Sequence, residues 1–372
     1  MKEISILFYD DKAVELLQNP LYQSGGATKQ VLAWSKGLQS IGVNTILMGA
    51  TANTTHLKRF TNIIISFNPN KGIRILRYFY YRFPLIIMGI FRSKADYIYY
   101  GVPGEESGLI AIVSKILRKK FILRVSNDHF ADDRYKIKTD SIRYFFFLTG
   151  FRLADYILCQ NDYQYEKMSQ KYPQKTFKLV NPYAGKLNKK TIPFEKKKQI
   201  AWVGTIQYQK NISLLLKIAK TLPDIPFKIA GNISSKLDKD SQIALGELRN
   251  LPNVNFLGFL KKEDVLKLLE NSYILLNTSH HEGFSNTYLE AFSVSTPVFS
   301  LEHNDPNNII AANKLGEVYK NADDFAIKFT KLIKNHENFD LMSKNCINYM
   351  KDNHNLIKQS NEFLKIITDN KL

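Results

Sequence analysis

The chain has 372 residues, of which 44% are hydrophobic, so it is long and apolar enough to form two domains and is not globally disordered. Its 52 basic residues outnumber its 34 acidic ones and give a net charge of +18, which favours contact with an anionic surface such as lipid or nucleic acid. Two cysteines are too few for a disulfide framework, and there is no apolar run of about 18 residues, so we expect a cytoplasmic protein.

Short apolar segments in the first half of the chain alternate with helical ones. The predicted strands cover residues 4–9, 44–48, 63–67, 97–100, 121–125 and 156–159. This alternation is typical of a parallel sheet that is covered by helices on both faces. Between the first two strands, Gly25 and Gly26 precede an amphipathic helix, which indicates a βαβ unit with glycines at the start of its helix.

A polar, lysine-rich stretch at residues 185–198 is the predicted linker. A second alternating series follows it, with strands predicted at 199–203, 227–230, 254–257, 273–276 and 298–301. We therefore predict an α/β protein with two doubly wound Rossmann-like domains, at 1–184 and 199–345, that face each other across a cleft. Ligands are expected at the carboxyl ends of the strands, in the crevice between the domains.

A loop and a helix at residues 277–298 follow the fourth strand of the second series. Gly283 permits a tight turn, and Ser285 or Asn286 is the predicted N-cap of a helix that starts near Thr287. The loop carries a carboxylate close to the helix N-terminus. Such an arrangement is suited to a phosphate and a polar ligand.

Two glutamates in this stretch, Glu282 and Glu290, stand eight residues apart. With Gly283-Phe284 after the first, an Ala after the second and a Pro-Val strand beyond, the pattern resembles the E-x7-E signature of retaining GT-B glycosyltransferases of family four, the glycosyl transferases group 1. The resemblance implies that Glu290 binds the ribose hydroxyls of a nucleotide-sugar and that Glu282 contacts the donor sugar.

A second anchor of the resemblance is the stretch 201–211, a strand and a loop before a helix. It is similar to the family's segment in which an Arg after the glycine and a Lys five residues later hold the donor diphosphate. Here Gly204 is the glycine and Lys210 matches the Lys, but Thr205 stands at the Arg position. One positive charge of the expected phosphate clamp is therefore missing.

Further glycines match the same template. The resemblance implies that Gly231 lies near the donor, that the backbone around Gly258 meets the nucleotide base, and that Gly25 lies by the donor phosphates and the acceptor. The predicted donor-binding residues are Gly25, Gly26, Gly204, Thr205, Lys210, Gly231, Gly258, Phe259, Gly283, Phe284, Ser285, Asn286, Thr287 and Glu290.

The family often has a histidine near the end of the fifth strand that touches the transferred sugar. His129 is our candidate, although Asn127 or Asp128 could occupy the same place. Together with Glu282 and Lys210, His129 completes the predicted catalytic residues.

Metal-dependent chemistry is not indicated by the sequence. Asp238 and Asp240 have the D-x-D form of metal-dependent transferases, but they lie in a polar stretch and are interpreted as a solvated charge run. The histidines and cysteines show no metal-ligand spacing. We expect no metal and no other cofactor, because the nucleotide-sugar would be a substrate.

Residues 72–92 combine four arginines with six aromatic residues and no acid. The segment is suited to an anionic membrane interface, or it is a core helix with arginines at its edges, and both interpretations stay open. No nucleic-acid motif accompanies it, so no nucleic-acid partner is predicted. Residues 346–372 are predicted to carry the family's last helix back onto the first domain.

The resemblance implies a retaining, metal-independent glycosyltransferase that moves a sugar from a nucleotide-sugar, with a UDP-sugar favoured, to a glycan or lipid-linked glycan acceptor in surface polysaccharide biosynthesis. It would be cytoplasmic, or peripheral on the inner face of the cell membrane. The alternatives are a catalytically inactive sugar-nucleotide-binding or membrane-scaffold subunit, favoured by Thr205, an epimerase or phosphorylase of the same architecture, and an RNA-binding protein suggested by charge alone.

Overall fold

The computed structural model describes residues 4–19, 22, 25–53, 62–73, 76–132, 134–137, 139–188 and 192–369. The chain forms two compact units. The first comprises Met1–Ala184 and His354–Leu372, and the second comprises Gly185–Asn353.

The first unit is built on a parallel sheet, as its buried apolar strands predict. Its strands are β1 (Ser5–Tyr9), β2 (Asn44–Gly49), β3 (Ile63–Ile65), β4 (Tyr97–Tyr100), β5 (Lys120–Val125), β6 (Tyr156–Cys159) and β7 (Thr176–Lys178). Among the described residues, their order in the sheet is β3-β2-β1-β4-β5-β6-β7. The helices that connect them are α1 (Ala13–Gln18), α2 (Gly26–Ser40), α3 (Phe83–Ser93), α4 (Glu105–Ile116), α5 (Arg134–Ile137), α6 (Ser141–Leu153) and α7 (Asp162–Lys171).

The second unit repeats this architecture with a parallel sheet of its own. Its strands are β8 (Gln199–Val203), β9 (Phe227–Ala230), β10 (Val254–Gly258), β11 (Ser272–Asn277), β12 (Val298–Leu301) and β13 (Gly316–Tyr319), in the order β10-β9-β8-β11-β12-β13. Its helices are α8 (Ile212–Thr221), α9 (Lys239–Arg249), α10 (Lys262–Glu270), α11 (Asn286–Ser293), α12 (Ile309–Ala312), α13 (Ala322–Ile333) and α14 (His336–Asn353). Each sheet reverses its strand order next to its first strand, as in a doubly wound fold.

The last helix, α15 (Leu356–Asp369), packs on α2 in the first unit. The ring of Phe363 lies 5.2 Å from that of Trp34, and both side chains are fully buried. A Cβ on Gly37 would lie 2.3 Å from the hydroxyl of Ser360, so the absence of a side chain lets the two helices approach. The hydroxyl of Tyr97 donates to the carbonyl of Ile367 and fixes the far end of α15.

The structure differs from the predicted domain boundaries in two places. The predicted linker at 185–198 belongs to the second unit, because Phe194 is buried in its core and the ammonium of the buried Lys197 donates to the carbonyl of Glu270. Residues 346–353 also belong to that unit, because α14 runs on to Asn353 and buries Met350. The polar composition of residues 185–198 does not indicate that Phe194 packs into the core of the second unit.

Candidate functional site

Three glycines lie at the carboxyl ends of three neighbouring strands, β8, β9 and β10. The amide of Gly204 donates to Ala230 at 3.0 Å, and the amide of Gly231 donates to Gly258 at 2.7 Å. Gly231 has a φ of +141°, and a Cβ there would lie 1.9 Å from the carbonyl oxygen of Gly204, so glycine is required. Gly258 has a φ of +65°, and a Cβ there would meet open space. These strand ends expose backbone that a ligand can approach closely.

Lys210 and Glu282 form an ion pair at the same edge of the sheet. The Lys210 Nζ lies 2.5 Å from Glu282 Oε1, and the two side chains are only 16% and 11% exposed. The hydroxyl of Ser279 donates to the same carboxylate oxygen at 2.7 Å. A Cβ on Gly204 would lie 3.2 Å from Cε of Lys210, so the lysine stem runs over that glycine. The ammonium is thereby held at the carboxyl end of β8.

The loop that carries Glu282 leads directly into α11. Ser285 is the N-cap of this helix, as predicted, with φ −73° and ψ 121°. Within the described residues its side chain does not cap the helix, and its hydroxyl lies 2.8 Å from that of Thr287. Glu290, one turn further along the same helix, is 5% exposed. The helix N-terminus thus presents hydroxyl groups next to the partial positive charge of its amides.

The remaining predicted residues of the second unit occupy different environments. Thr205 is exposed directly after Gly204. Phe259 follows Gly258 and is 41% exposed, which is unusual for a phenylalanine beside a row of strand ends. Phe284, in contrast, is buried.

The predicted glycines of the first unit lie at the start of α2. Gly25 is the N-cap, and Gly26 is the first helical residue. A Cβ on Gly25 would meet nothing within 4 Å, so packing within the described residues does not require glycine there.

His129 lies in a short 3₁₀ turn, Asp128–Phe130, after β5. The carboxamide oxygen of Asn127 accepts from the backbone amide of His129 at 3.3 Å and lies 2.9 Å from its Nδ1. Asp128 accepts from the carboxamides of Asn161 and Gln164 at 2.9 and 2.8 Å. Of the three candidates for the sugar-facing residue, Asp128 is therefore committed to contacts with α7 and the loop before it.

Asp238 has a structural role as the N-cap of α9. Its carboxylate accepts from the backbone amide of Ser241 at 2.9 Å, and hydrogen bonds from the side chain and then the backbone of Ser241 lower the pKa of Asp238. Across the described ranges, no group of three or more His, Cys, Asp or Glu side chains is arranged to hold a metal ion.

The segment at 72–92 divides into two parts. Helix α3 buries Ile86 and Ile90, as a core helix does. The part before it contains a π-helical turn, Tyr78–Arg82, and exposes large apolar side chains. We refer to Ile73, Leu76, Phe79 and Tyr80, which are 53–74% exposed, as the apolar patch.

The arginines of this segment have separate partners. Arg77 donates to the carbonyl of Pro69 at 2.9 Å, and the guanidinium of Arg82 lies 4.7 Å from the centre of the Phe67 ring. Arg92 is exposed, and Arg74 lies outside the described residues. No helix in the described part of the chain is long and apolar enough to cross a membrane.

Sequence reasoning missed several polar residues around Lys210 and Glu282. Ser279 binds the Glu282 carboxylate, Thr278 donates to the backbone carbonyl of Lys210, and Gln209 donates to that of His281. The available signal was the polar run that directly follows the buried strand β11, because such residues lie at the ligand edge of a parallel sheet.

Comparisons with known proteins agree with this arrangement. The model of the family "Glycosyl transferases group 1" matches residues 185–352. The chain is 27% identical to 2-deoxystreptamine N-acetyl-D-glucosaminyltransferase of Niallia circulans over 117 residues, which are 30% of this chain and 30% of that protein. The match therefore spans less than a third of that relative's length.

Two solved structures share the fold over nearly the whole chain. Anabaena HepE in complex with UDP-glucose has a TM-score of 0.76 and 14% identity, and the alignment covers 98% of this chain and 100% of HepE. TarM of S. aureus, solved as a point mutant, has a TM-score of 0.73 and 12% identity, with 99% and 100% of the two chains covered. At such identities the likeness shows the fold, which is GT-B.

Proposed function

We propose that the chain is a retaining, metal-independent glycosyltransferase that uses a nucleotide-sugar donor, because the model of the glycosyl transferases group 1 family matches residues 185–352. The observation that carries this proposal is the ion pair of Lys210 and Glu282. It joins the turn after β8, beside the strand ends that carry glycines, to the loop that leads into α11. A cation, a helix N-terminus and bare backbone together are suited to a diphosphate.

Lys210 stabilises the departing nucleoside diphosphate in this mechanism. Negative charge develops on the leaving group as the bond to the sugar breaks, and preorganised positive groups lower the barrier to that step. The ammonium of Lys210 is the charged group, and the amides at the start of α11 supply a fixed partial charge beside the hydroxyls of Ser285 and Thr287. Thr205 adds no charge, so the clamp depends strongly on Lys210.

The two glutamates have separate roles in the proposal. Glu282 accepts hydrogen bonds from the sugar hydroxyls after Lys210 turns toward the diphosphate. Glu290 accepts from the ribose, and the exposed ring of Phe259 covers the base. Gly258 lets the nucleoside approach the backbone, because a Cβ there would meet nothing within 4 Å among the described residues, and Gly231 lets its strand end pack against the carbonyl of Gly204.

A UDP-sugar is the favoured donor. The HepE structure holds UDP-glucose, and the TarM structure holds UDP together with alpha-GlcNAc-glycerol, and both proteins share the GT-B fold of this chain. The acceptor is proposed to be a glycan or a lipid-linked glycan in surface polysaccharide biosynthesis. Gly25 and His129 of the first unit stay predictions that rest on the resemblance to the family.

A peripheral position on an anionic membrane is part of this proposal. The apolar patch places four large side chains in solvent, and Lys71, Arg92 and Lys94 nearby in sequence are exposed. Apolar side chains that enter the headgroup region next to basic residues that contact anionic lipid hold a protein reversibly at the bilayer. The RNA alternative rests only on the net charge.

A second candidate function is an inactive subunit that binds sugar nucleotides, and Thr205 in place of the expected arginine favours it. Turnover separates the two. The purified chain is incubated with a panel of nucleoside-diphosphate sugars and glycan acceptors in excess chelator, and released nucleoside diphosphate is measured. We expect nucleoside diphosphate to be released when a UDP-sugar and an acceptor are both present. We also expect the product to keep the anomeric configuration of the donor. Donor binding without release under every condition would favour the inactive subunit.

A further inference from the structure

The backbone of Lys210 is fixed from its buried side by a chain of two hydrogen bonds. The indole Nε1 of Trp202, on β8, donates to the hydroxyl of Thr278 at 3.1 Å. That hydroxyl donates its own proton to the carbonyl of Lys210 at 2.7 Å. Trp202 and Thr278 are 2% and 1% exposed, so no solvent competes for these bonds. Because the hydroxyl has only one proton, the indole fixes the direction in which it donates.

On its open side, the same turn is joined to the Glu282 loop by Gln209. The backbone amide of His280 donates to the carbonyl of Gln209, and the Gln209 carboxamide donates to the carbonyl of His281, both at 2.8 Å. The ring of Tyr208 stacks on that of His280 at 4.8 Å and 28°. Two hydrogen bonds of Gln209, with His280 and with His281, thereby join the turn that carries Lys210 to the loop that carries Glu282.

These hydrogen bonds hold the two segments that carry the ion pair, and none of them involves the Lys210 ammonium or the Glu282 carboxylate. Lys210 is bonded through its carbonyl to Thr278, and Glu282 follows Thr278 by four residues in a loop bonded to Gln209. If either connection is lost, the turn and the loop can move apart, and the ammonium no longer has one fixed position.

We infer that Thr278 and Gln209 are positioning residues, which hold Lys210 against Glu282 before the donor arrives. This inference rests on the proposed function, in which Lys210 stabilises the leaving diphosphate. Thr278 is enclosed in protein and acts only through the backbone of Lys210. Preorganisation of this kind raises turnover because the backbone that carries the cation need not be ordered during the reaction.

The decisive variant is Thr278→Val, which keeps the shape of the side chain and removes both hydrogen bonds. Thr278→Ser restores the hydroxyl and serves as the conservative rescue. Thr296→Val is the matched control, because Thr296 is fully buried in the same unit and donates its hydroxyl to the carbonyl of Leu269 at 2.8 Å. It loses the same kind of bond away from Lys210. Gln209→Leu removes the hydrogen bond from the Gln209 carboxamide to the carbonyl of His281 and so tests the connection on the open side.

We expect Thr278→Val to lower kcat about tenfold or more with little change in acceptor KM, while Thr278→Ser stays within about threefold of the wild type. Thr296→Val is expected to lose thermal stability without a comparable loss of kcat. A kcat for Thr278→Val equal to that of the wild type, or an equal loss in both valine variants, would overturn the inference.

A second readout does not depend on activity. Hydrogen exchange of the His280 amide, which donates to Gln209, is measured in all variants. At least tenfold faster exchange is expected in Thr278→Val and Gln209→Leu, and no change in Thr296→Val. Unchanged exchange in Thr278→Val overturns the positioning role even if no donor is turned over. A wild type without turnover, but with this exchange pattern, contradicts the proposed function and leaves the hydrogen-bonded arrangement in place.

Discussion

Lys210 and Glu282 stand 72 residues apart in the chain, and their side chains meet at 2.5 Å in a largely enclosed position. The pair neutralises itself before a ligand arrives, so an anionic diphosphate competes with Glu282 for the ammonium. In the proposed function, the displaced carboxylate is then next to the donor and accepts hydrogen bonds from sugar hydroxyls. One contact thus connects the proposed phosphate and sugar subsites.

Substitution of the two glutamates is predicted to impair different steps, UDP binding for Glu290 and turnover for Glu282. Glu290→Ala should weaken UDP binding by about 1.5–3 kcal/mol, because the ribose hydroxyls lose a charged acceptor. Glu282→Ala should lower turnover more than UDP affinity, because its proposed partner is the sugar. Calorimetry with UDP and initial rates with the UDP-sugar measure the two effects. Identical profiles for the two variants would contradict the separate roles.

Ser295 is predicted to be replaceable by glycine with a gain in stability. It follows the C-cap of α11 with φ +61°, and the amides of Ser295 and Thr296 donate back to the carbonyls of Phe292 and Ala291, as in a Schellman motif. Its hydroxyl is buried without a hydrogen-bond partner among the described residues. Ser295→Gly removes the left-handed strain and the unpaired hydroxyl, and should raise the free energy of unfolding by about 1 kcal/mol.

The urea midpoint measures this gain. Ser295→Ala is the control, since it removes the hydroxyl and keeps the strained φ. It should be less stable than the glycine variant. A glycine variant less stable than the wild type would show that the larger conformational freedom of the unfolded chain outweighs both effects.

Glu106 makes the stability of the first unit depend on pH. Tyr100 donates to its carboxylate at 2.5 Å, and burial, followed by the nearby charge of Asp11, raises the pKa of Glu106 to about 7 from an ordinary value of 4.5. The folded chain therefore holds a proton that the unfolded chain has already lost between these pH values. The contribution is fully present below about pH 4.5 and is lost as the pH rises through 7.

Glu106→Gln stays neutral at every pH and should gain stability relative to the wild type at pH 8 but not at pH 4.5. Thermal unfolding at both pH values measures the difference. Glu105→Gln is the control, because Glu105 is the neighbouring glutamate and its side chain is 49% exposed. A stability difference of the same size at both pH values would contradict the assignment to Glu106.

The apolar patch is predicted to mediate membrane contact. Leu76→Ser combined with Phe79→Ser should reduce sedimentation with anionic vesicles, because burial of these side chains at the headgroup boundary is lost. High salt should weaken binding of the wild type, since each basic residue near an anionic leaflet contributes about 1 kcal/mol. Ile327→Ser, at a 69% exposed position of the second unit, is the control. Equal binding to neutral and anionic vesicles would contradict this prediction.

Most strands could be predicted because each is an apolar run with polar ends. β8, for example, covers the predicted residues 199–203 and ends directly before Gly204. The edge strands β7 and β13 were missed, because three or four residues such as Thr-Phe-Lys give no readable periodicity. The polar stretch at 185–198 was misread because composition does not reveal that one phenylalanine, Phe194, packs into a core.

The residues of the site were predicted by resemblance, but their contacts were not. Lys210 and Glu282 meet because β8 and β11 are neighbours in the sheet, although β9 and β10 lie between them in the chain. Sequence order does not reveal this adjacency. The roles of Thr278 and Gln209 depend on it, since each connects the end of one strand to the end of the other.

The central claim is that Lys210 binds the diphosphate of a nucleotide-sugar, and calorimetric titration with UDP in excess chelator tests it most directly. The variants are Lys210→Ala and, as the matched control, Lys220→Ala, whose lysine forms an exposed ion pair with Glu247 at 2.6 Å in the same unit. We predict that the wild type and Lys220→Ala bind UDP alike, and that Lys210→Ala loses about 1.5–3 kcal/mol of binding free energy while it remains folded. Equal affinity of all three proteins, or binding that requires added Mg²⁺ or Mn²⁺, would contradict it.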